Sequence, residues 1–398
     1  MANTLLTVDQ ITKEALRILH QKLTFIGRIN RQYDSSFAQE GAKIGDTLRI
    51  RMPNQYTVRT GATLSTQDTT ETNISLQVAT QKGVDLNFTS VDLTMDMENF
   101  SSRILEPAMA VLAANIESDA LTNMTKDVYN VVDNDGNAIT YKNILDGGVK
   151  LKDNLAPSDG DWTALLDNAS QATLVDALKG LFQDSNQIAS QYREGSMGRS
   201  GGFNFYNSTH VSDHATGTAA KTTGYLVNGG SQTGASLTVD TGTTTFLAGD
   251  VITIAGVNRV HPETKVDTGQ LQQFVVTADS GASATSLAIS PSIVASGATQ
   301  NVSGSPADNA AVTKVGAGAS ENLTSNLVFQ KDAFTFASAD LVMPSGVDMA
   351  SRQVYDGISM RLVRNYDINN DKFPCRFDVL YGYKTLRPEH AARIHADG

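Results

Sequence analysis

Of the residues able to do chemistry, His210, Asp213 and His214 stand closest together, and two imidazoles four apart could share a metal on one helix face. Their neighbours Ser208, Thr209, Ser212, Thr216 and Gly217 argue instead for a loop, which would splay the ligands. Asp133-Asn134-Asp135-Gly136-Asn137 looks like a calcium loop, yet setting Gly136 at the sixth position puts Val131 at the first, where a carboxylate must stand. A turn between strands is the expected reading. The glycine-rich stretch Gly195 to Gly202 lacks the Lys-Ser/Thr of a phosphate-cradling loop and the preceding strand of a dinucleotide fingerprint, so it reads as a connecting turn. Cys375 is the only cysteine, which excludes an internal disulfide and a cysteine-based zinc site; it reads as a small buried hydrophobe. No Ser-His-Asp set can be assigned, and no Gly-x-Ser-x-Gly elbow stands at a strand-to-helix junction. The expectation is no catalytic residue, no metal and no cofactor: not an enzyme.

The chain that must position these residues has 398 of them, 40% hydrophobic and 18% charged, enough to bury a large core in two or three domains. No apolar run approaches the roughly 18 residues of a membrane span, and the start lacks signal-peptide regions, so the expected site of synthesis is the cytoplasm and no membrane partner is expected. The net charge of -11 argues against a dedicated nucleic-acid binder. Residues 1 to 52 depart from it, with eight Lys or Arg against five acids. Within that basic end Thr7-Val8-Asp9-Gln10 has the form of a capping box, and Ile11, Ala15, Ile18, Lys22, Phe25 and Ile29 recur at helical spacing. This helix is expected either to pack on the body or to lie on a neighbour as an arm. It carries the basic residues Lys13, Arg17 and Lys22.

From Lys43 to Phe88 the period becomes two. Leu48, Ile50 and Met52 alternate with polar residues, and Ile74, Leu76, Val78 and Val84, Leu86, Phe88 repeat the pattern after a polar tip from Thr60 to Thr72. Two arms of about 16 residues would reach on the order of 50 Å at about 3.3 Å per residue. An isolated hairpin is marginal in water, so it should find its surface on another copy of the chain. The alternative is that Pro53 ends the first arm and ordinary short strands result. A long helix follows, with Leu105, Met109, Leu112, Ile116, Ala120, Met124 and Val128 in phase and Pro107 either kinking it or opening a new helix. A further helix is expected from Ser170 through Leu181. From Tyr225 to Glu321, Gly, Ser, Thr and Ala dominate, only Tyr225, Phe246 and Phe274 are aromatic, and runs such as Val251-Ile252-Thr253-Ile254 are bounded by turns. That is a small all-β barrel or sandwich inserted in a host domain, since Asn326 to Phe334 resumes the earlier composition.

Particular phrases carry a resemblance. Gly45 to Pro53 looks like the start of an extended loop, Gly249-Asp250-Val251-Ile252-Thr253-Ile254-Ala255-Gly256-Val257 like the central strand of an inserted domain, and Phe377 to Glu389 like a final strand and exit. In that order they resemble the major capsid proteins of tailed bacteriophages, in the branch whose coat subunits carry an inserted β domain. The resemblance implies an α+β phage-capsid fold. Its parts would be an N-terminal arm (1–35), an extended hairpin loop (36–89), a spine helix and peripheral subdomain (90–164), an axial subdomain (165–224), the inserted β domain (225–321), the axial return (322–350) and the closing peripheral strands (351–398).

The function implied is a structural subunit, in pentamers and hexamers, of an icosahedral virion capsid enclosing double-stranded DNA, with a scaffolding protein and a portal protein as partners. The inter-subunit contacts would come from Thr60, Leu64, Asp68 and Glu71 at the hairpin tip and from Glu263, Lys265 and Asp267 on the insertion's long loop, with Lys13, Arg17 and Lys22 as arm or scaffold contacts. A β-rich attachment or carbohydrate-binding protein remains the alternative, and an enzyme would need a pocket of convergent titratable groups.

Overall fold

Period-2 apolar segments and a few strongly apolar helices give this chain an α+β fold. The computed structural model describes residues 8–34, 47–59, 61–64, 66–68, 71–89, 101–134, 137–178, 198–222, 224–316, 318–369 and 372–397. It divides into two units, one of residues 1–50, 73–120 and 334–386, the other of residues 51–72, 121–333 and 387–398.

The first unit is built on a sheet in the order Asn30–Asp34, Phe334–Ala339, Lys372–Thr385, Ile358–Arg364, Met349–Tyr355, with Thr80–Thr89 also paired to the long strand Lys372–Thr385. Helix α1 (Val8–Lys22) buries Ile11, Ala15, Leu16, Ile18 and Leu19 and lies on Met349–Tyr355 and Ile358–Arg364. Of the two placements open to it, it takes the body of its own subunit. The chain turns after α1 on a buried carboxylate, Glu117, which accepts the N–H groups of Thr24 (2.6 Å) and Phe25 (3.1 Å). Glu117 stands on helix α2 (Glu106–Lys126), about 31 Å long at 1.5 Å per residue, which follows a π-helical turn at Ser101–Leu105 and holds Pro107 in its first turn. The proline therefore opens a new helix, as its missing N–H allows. Asp119 of α2 accepts hydrogen bonds from Tyr381 (2.8 Å) and Tyr383 (3.3 Å) and pairs with Lys82 (3.4 Å).

The second unit has a mixed sheet in the order Val131–Val132, Ala391–Asp397, Asn322–Gln330, Trp162–Leu166, Phe203–Asn207, Arg199–Ser200, with Asp213–Ala215 beside Asn322–Gln330. One face, carrying Trp162, Ala164, Leu166, Val328, Ala392, Ile394 and Ala396, is the apolar core against helices α3 (Tyr141–Asp153) and α4 (Asn168–Leu178). The inserted residues form a second sheet: Leu226–Val227, Gly234–Asp240, Ser286–Ile293, Asp267–Val276, Val251–Val260, Val312–Lys314. Its two ends approach each other, with the Val227 N–H donating to Ala310 (3.0 Å) and the Val312 N–H to Tyr225 (3.0 Å), so the sheet curls nearly closed around Tyr225, Phe246, Phe274 and Val257. Near-closure shields the edges that a short-stranded sheet would otherwise expose. Among the described residues no helix is long and apolar enough to cross a membrane.

Three expectations are corrected. The hairpin ladder is Thr47–Arg51 on Asn73–Gln77, five residues a side and about 16 Å long, because Pro53 lacks the N–H to continue it. The second arm leaves it, and Thr80–Thr89 joins the main sheet, so Val84 and Leu86 serve that sheet. The segment after Val131–Val132 leads not to another strand but into α3, a helix hidden by Gly147 and Gly148; Asp135 and Gly136 lie outside the described residues. Those glycines are where α3 touches the sheet: a Cβ would lie 2.7 Å from Val328 Cγ2 at Gly147 and 3.1 Å from Phe203 Cε2 at Gly148. Thr7, Gly45, Asp46, Leu181 and Gly195 to Met197 lie outside the described residues.

Candidate assembly surfaces

The hairpin begins on an apolar root. Leu48 and Ile50 on one strand and Leu76 and Val78 on the other pack against Ala337, Ala339, Leu341 and Leu380 of the first unit. Beyond Met52, whose N–H donates to Thr72 (2.9 Å), the ladder ends and the tip is held by side chains. Gln67 exchanges hydrogen bonds with the backbone of Thr57 (2.9 and 2.6 Å), Arg59 donates to the carbonyls of Gly61 and Thr63, and Arg51 pairs with Glu71 (3.2 Å). Polar contacts thus tie the described residues of the tip, while apolar groups there are exposed: Val58 is 95% exposed, Leu64 78% and Tyr56 56%. Asp68 is exposed as well, and Thr60 lies outside the described residues.

The insertion's loop is a tight turn between Val251–Val260 and Asp267–Val276. The Lys265 N–H donates to His261 (3.0 Å) and the His261 N–H to Val266 (2.9 Å). Lys265 reaches the Gln300 carbonyl (3.1 Å), and Asp267 accepts from the Gly269 N–H (2.7 Å) and Asn258 (3.1 Å), which hold its carboxyl below the usual range. Glu263 is exposed, with no side-chain ion pair among the described residues. On α1, Lys13 is exposed, Arg17 is engaged with Glu14 (2.6 Å) and Gln21 (2.9 Å), and Lys22 pairs with Glu106 (3.3 Å).

The most concentrated titratable chemistry lies at the junction between insertion and host within the second unit. The face of the host sheet away from the apolar core carries Arg393 and His395, with Ser325 and Leu327 opposite them in register and His214 on the neighbouring strand. Asp250, on the turn entering the barrel, accepts from His214 Nε2 (2.9 Å), the Gly217 N–H (3.0 Å) and the Leu247 N–H (2.8 Å). Burial alone would raise this carboxyl; the three donors outweigh it and hold it below the usual range. Arg393 is fully buried and donates to the Gly249 carbonyl (2.8 Å), with burial bringing it down to about 10. Its Nε and Nη1, and both ring nitrogens of His395, have no hydrogen-bond partner among the described residues. Lys314, also buried, donates to Thr216 Oγ1 (2.9 Å) and the Gly318 carbonyl (2.8 Å) beside Glu321 (3.4 Å). At the barrel's other side the Gln273 amide bonds both backbone groups of Val131 (2.9 and 3.0 Å), and Arg259 pairs with Asp153 (2.8 Å).

His214 was therefore conspicuous for a different reason than metal binding: it sits on a strand, paired with a carboxylate 36 residues on, and His210 does not join it. Among the described residues no group of three or more His, Cys, Asp or Glu is arranged to hold a metal ion. The rest of the layer escaped sequence reasoning, although Arg393 and His395 two apart in an alanine-rich strand are a readable sign of a polar sheet face. Cys375 is 3% exposed, and burial pushes its thiol up to about 12.

The family described as P22 coat protein, gene protein 5, matches residues 1–393. None of the curated proteins compared with the chain matches it. Among solved structures, the capsid of cyanophage P-SCSP1u is 11% identical, covers 94% of this chain and 88% of its own, and has a TM-score of 0.46. The capsid of Ralstonia phage GP4 is 8% identical over 100% of this chain and 94% of its own, with a TM-score of 0.45. The CUS-3 coat protein I-domain is 34% identical over 23% of this chain and 96% of its own, with a TM-score of 0.19.

Proposed function

The chain belongs to the P22 coat protein family, and on that premise we propose that it is the shell-forming subunit of an icosahedral tailed-phage head that encloses double-stranded DNA. Copies meet as pentamers and hexamers, assembly proceeds with a scaffolding protein around a portal, and the role is structural, without catalysis. The observation that carries this reading is the hairpin tip: its described residues are tied by polar bonds and leave Tyr56, Val58 and Leu64 uncovered. Fully covering a Val or Leu side chain is worth about 1.5–3 kcal/mol, and a contact of that size repeated around a closed shell drives assembly without a strong pairwise bond. Thr60, Leu64, Asp68 and Glu71 are assigned to the contact with a neighbouring copy; Glu263, Lys265 and Asp267 to a second one; Lys13, Arg17 and Lys22 to the arm or scaffold contact. In the titratable cluster at the insertion, the Asp250 carboxylate and the Lys314 ammonium are engaged in ties within the chain, which is consistent with a structural role.

The test is coexpression with the scaffolding protein and negative-stain microscopy of the full chain beside a chain lacking residues 60–72. The full chain is expected to give closed shells, and the deletion a soluble, folded subunit that gives none. Regular shells from the deleted chain would refute the assignment of the tip.

A further inference from the structure

The two faces of the first unit's sheet are unlike where the hairpin leaves it. Phe336, Tyr381 and Tyr383 stack on one face, at 5.5 and 6.3 Å between ring centroids, and the two tyrosines donate to Asp119 of α2. On the other face Leu380 and Leu341 stand beside residues that are unusually small. Ala337 is paired with Gly382 and Ala339 with Leu380, so two alanines and a glycine make a floor, and Leu76 and Val78 of the hairpin rest on it with no exposed surface. Contact at Gly382 is with backbone: a Cβ there would overlap the Gln77 carbonyl oxygen and lie 2.9 Å from the Gln77 carbonyl carbon and 3.0 Å from Val78 Cα.

Gln77 and Val78 link the hairpin strand Asn73–Gln77 to the sheet strand Thr80–Thr89. The second is held along its length by Lys372–Thr385, from Thr80 opposite Tyr381 to Thr89 opposite Lys372. A link lifted off the floor therefore cannot be accommodated on the sheet side. The hairpin side is a ladder of only five residues per strand, so it is the part that moves.

We propose that the floor of Ala337, Ala339 and Gly382 sets the angle at which the hairpin leaves the subunit, and through it the curvature of the shell. The second half rests on the coat-subunit reading above; the first does not. Gly382 is then a positioning residue whose side-chain volume, zero in this chain, is the quantity that matters.

The experiment measures the angle and the shell separately. Spin labels at Arg49→Cys on the hairpin and Val111→Cys on α2, both exposed positions, report a distance within the first unit of the unassembled full chain, with buried Cys375 left in place. Gly382→Ala is expected to shift the mean distance by at least about 1 Å, as an overpacked contact between backbones does, and, on coexpression with the scaffold, to give shells of altered diameter or tubes. Should Gly382→Ala fail to fold, Ala337→Gly removes volume from the same floor and is expected to shift the distance the opposite way. An unchanged distance in the folded variant overturns the floor's role. A shifted distance with shells of normal size and yield overturns the link to curvature. Absence of any shell from the unsubstituted chain would instead count against the coat-subunit reading.

Discussion

Asp250 carries more of the structure than any other single carboxylate in the second unit. It terminates two backbone N–H groups and one imidazole at once, so Asp250→Ala strands three donors in a place without water access. Leaving buried donors unpaired costs about 1–3 kcal/mol each, and breaking a buried charged pair about 3–5 in all; a loss of roughly 3 kcal/mol in urea unfolding is expected. A loss under about 1 kcal/mol would show that the junction reorganises freely. The strand Ala391–Asp397 and the turn before it add a pH dependence. Burial lowers His390 to about 4 and takes His395 well below its ordinary value, with the Arg393, His214 and Lys314 charges depressing His395 further. A base with a depressed folded pKa stabilises the fold above its unfolded value and loses that contribution as pH falls below it. As pH falls below about 6.5, both histidines should therefore cost stability, His390 doing so down to about pH 4. Asp250 behaves differently, its contribution being lost only as pH falls through its own depressed range. Urea midpoints at pH 7.5 and 5.0 should differ markedly in the native chain and less in His395→Gln; equal differences in both would remove His395 from the account. The sequence made His214 visible but not its partner, because nothing local ties residue 214 to residue 250. Only the curled sheet brings them together.

At the scale of elements, alternation was the dependable signal. The strands of the insertion, the hairpin's root and the closing strand Lys372–Thr385 all fall where apolar residues repeat at two. The errors have one physical origin: a residue chosen for contact with another element overrides the local pattern. Gly147 and Gly148 hide α3 because they were fitted to Val328 and Phe203, and Val84 and Leu86 extended the apparent hairpin because they alternate for a different sheet. The strands from Leu226 to Lys314 share a core that is local to them. The sixteen buried core residues all lie between Ala219 and Val312, and the two ends of the sheet hydrogen-bond to each other, so no neighbour is required to complete it. Residues 217–321 expressed alone should fold cooperatively, with dispersed amide NMR signals and a single thermal transition. The fragment should be less stable than in the full chain, since it keeps the Gly217 and Leu247 donors to Asp250 but loses His214 and Arg393. A collapsed, undispersed spectrum would show that the host sheet is needed to close the barrel.

Across the whole molecule the chain is acidic, with a net charge of -11, so the surface it offers a partner is on balance negative. The coat-family match gives that surface its meaning, and the sequence could announce it only through the order of its parts, since no single phrase carries a reactive group. Two candidate contacts then differ in how cleanly they can be tested. Lys265 is in a left-handed conformation (φ 59) and is tied to the Gln300 carbonyl, so reversing its charge would disturb the turn as well as any partner. Glu263 stands on the same turn, exposed, and its side chain makes no ion pair among the described residues. A surface charge of this kind contributes about 0–1 kcal/mol at most to an ion pair, too little to decide one encounter but enough, repeated at every copy of an interface, to bias which curvature closes. Glu263→Lys should therefore leave the subunit's melting temperature unchanged within about 1 °C, given the small effect expected of surface substitutions, while coexpression with the scaffold yields tubes or shells of the wrong diameter. Raising the salt concentration should lessen the difference between variant and native chains, because an exposed contact is screened beyond about 8 Å at physiological ionic strength and more tightly above it. Shells of normal size and yield from Glu263→Lys at low salt would mean that this turn faces only solvent in the shell, and the second contact would have to be sought elsewhere on the insertion.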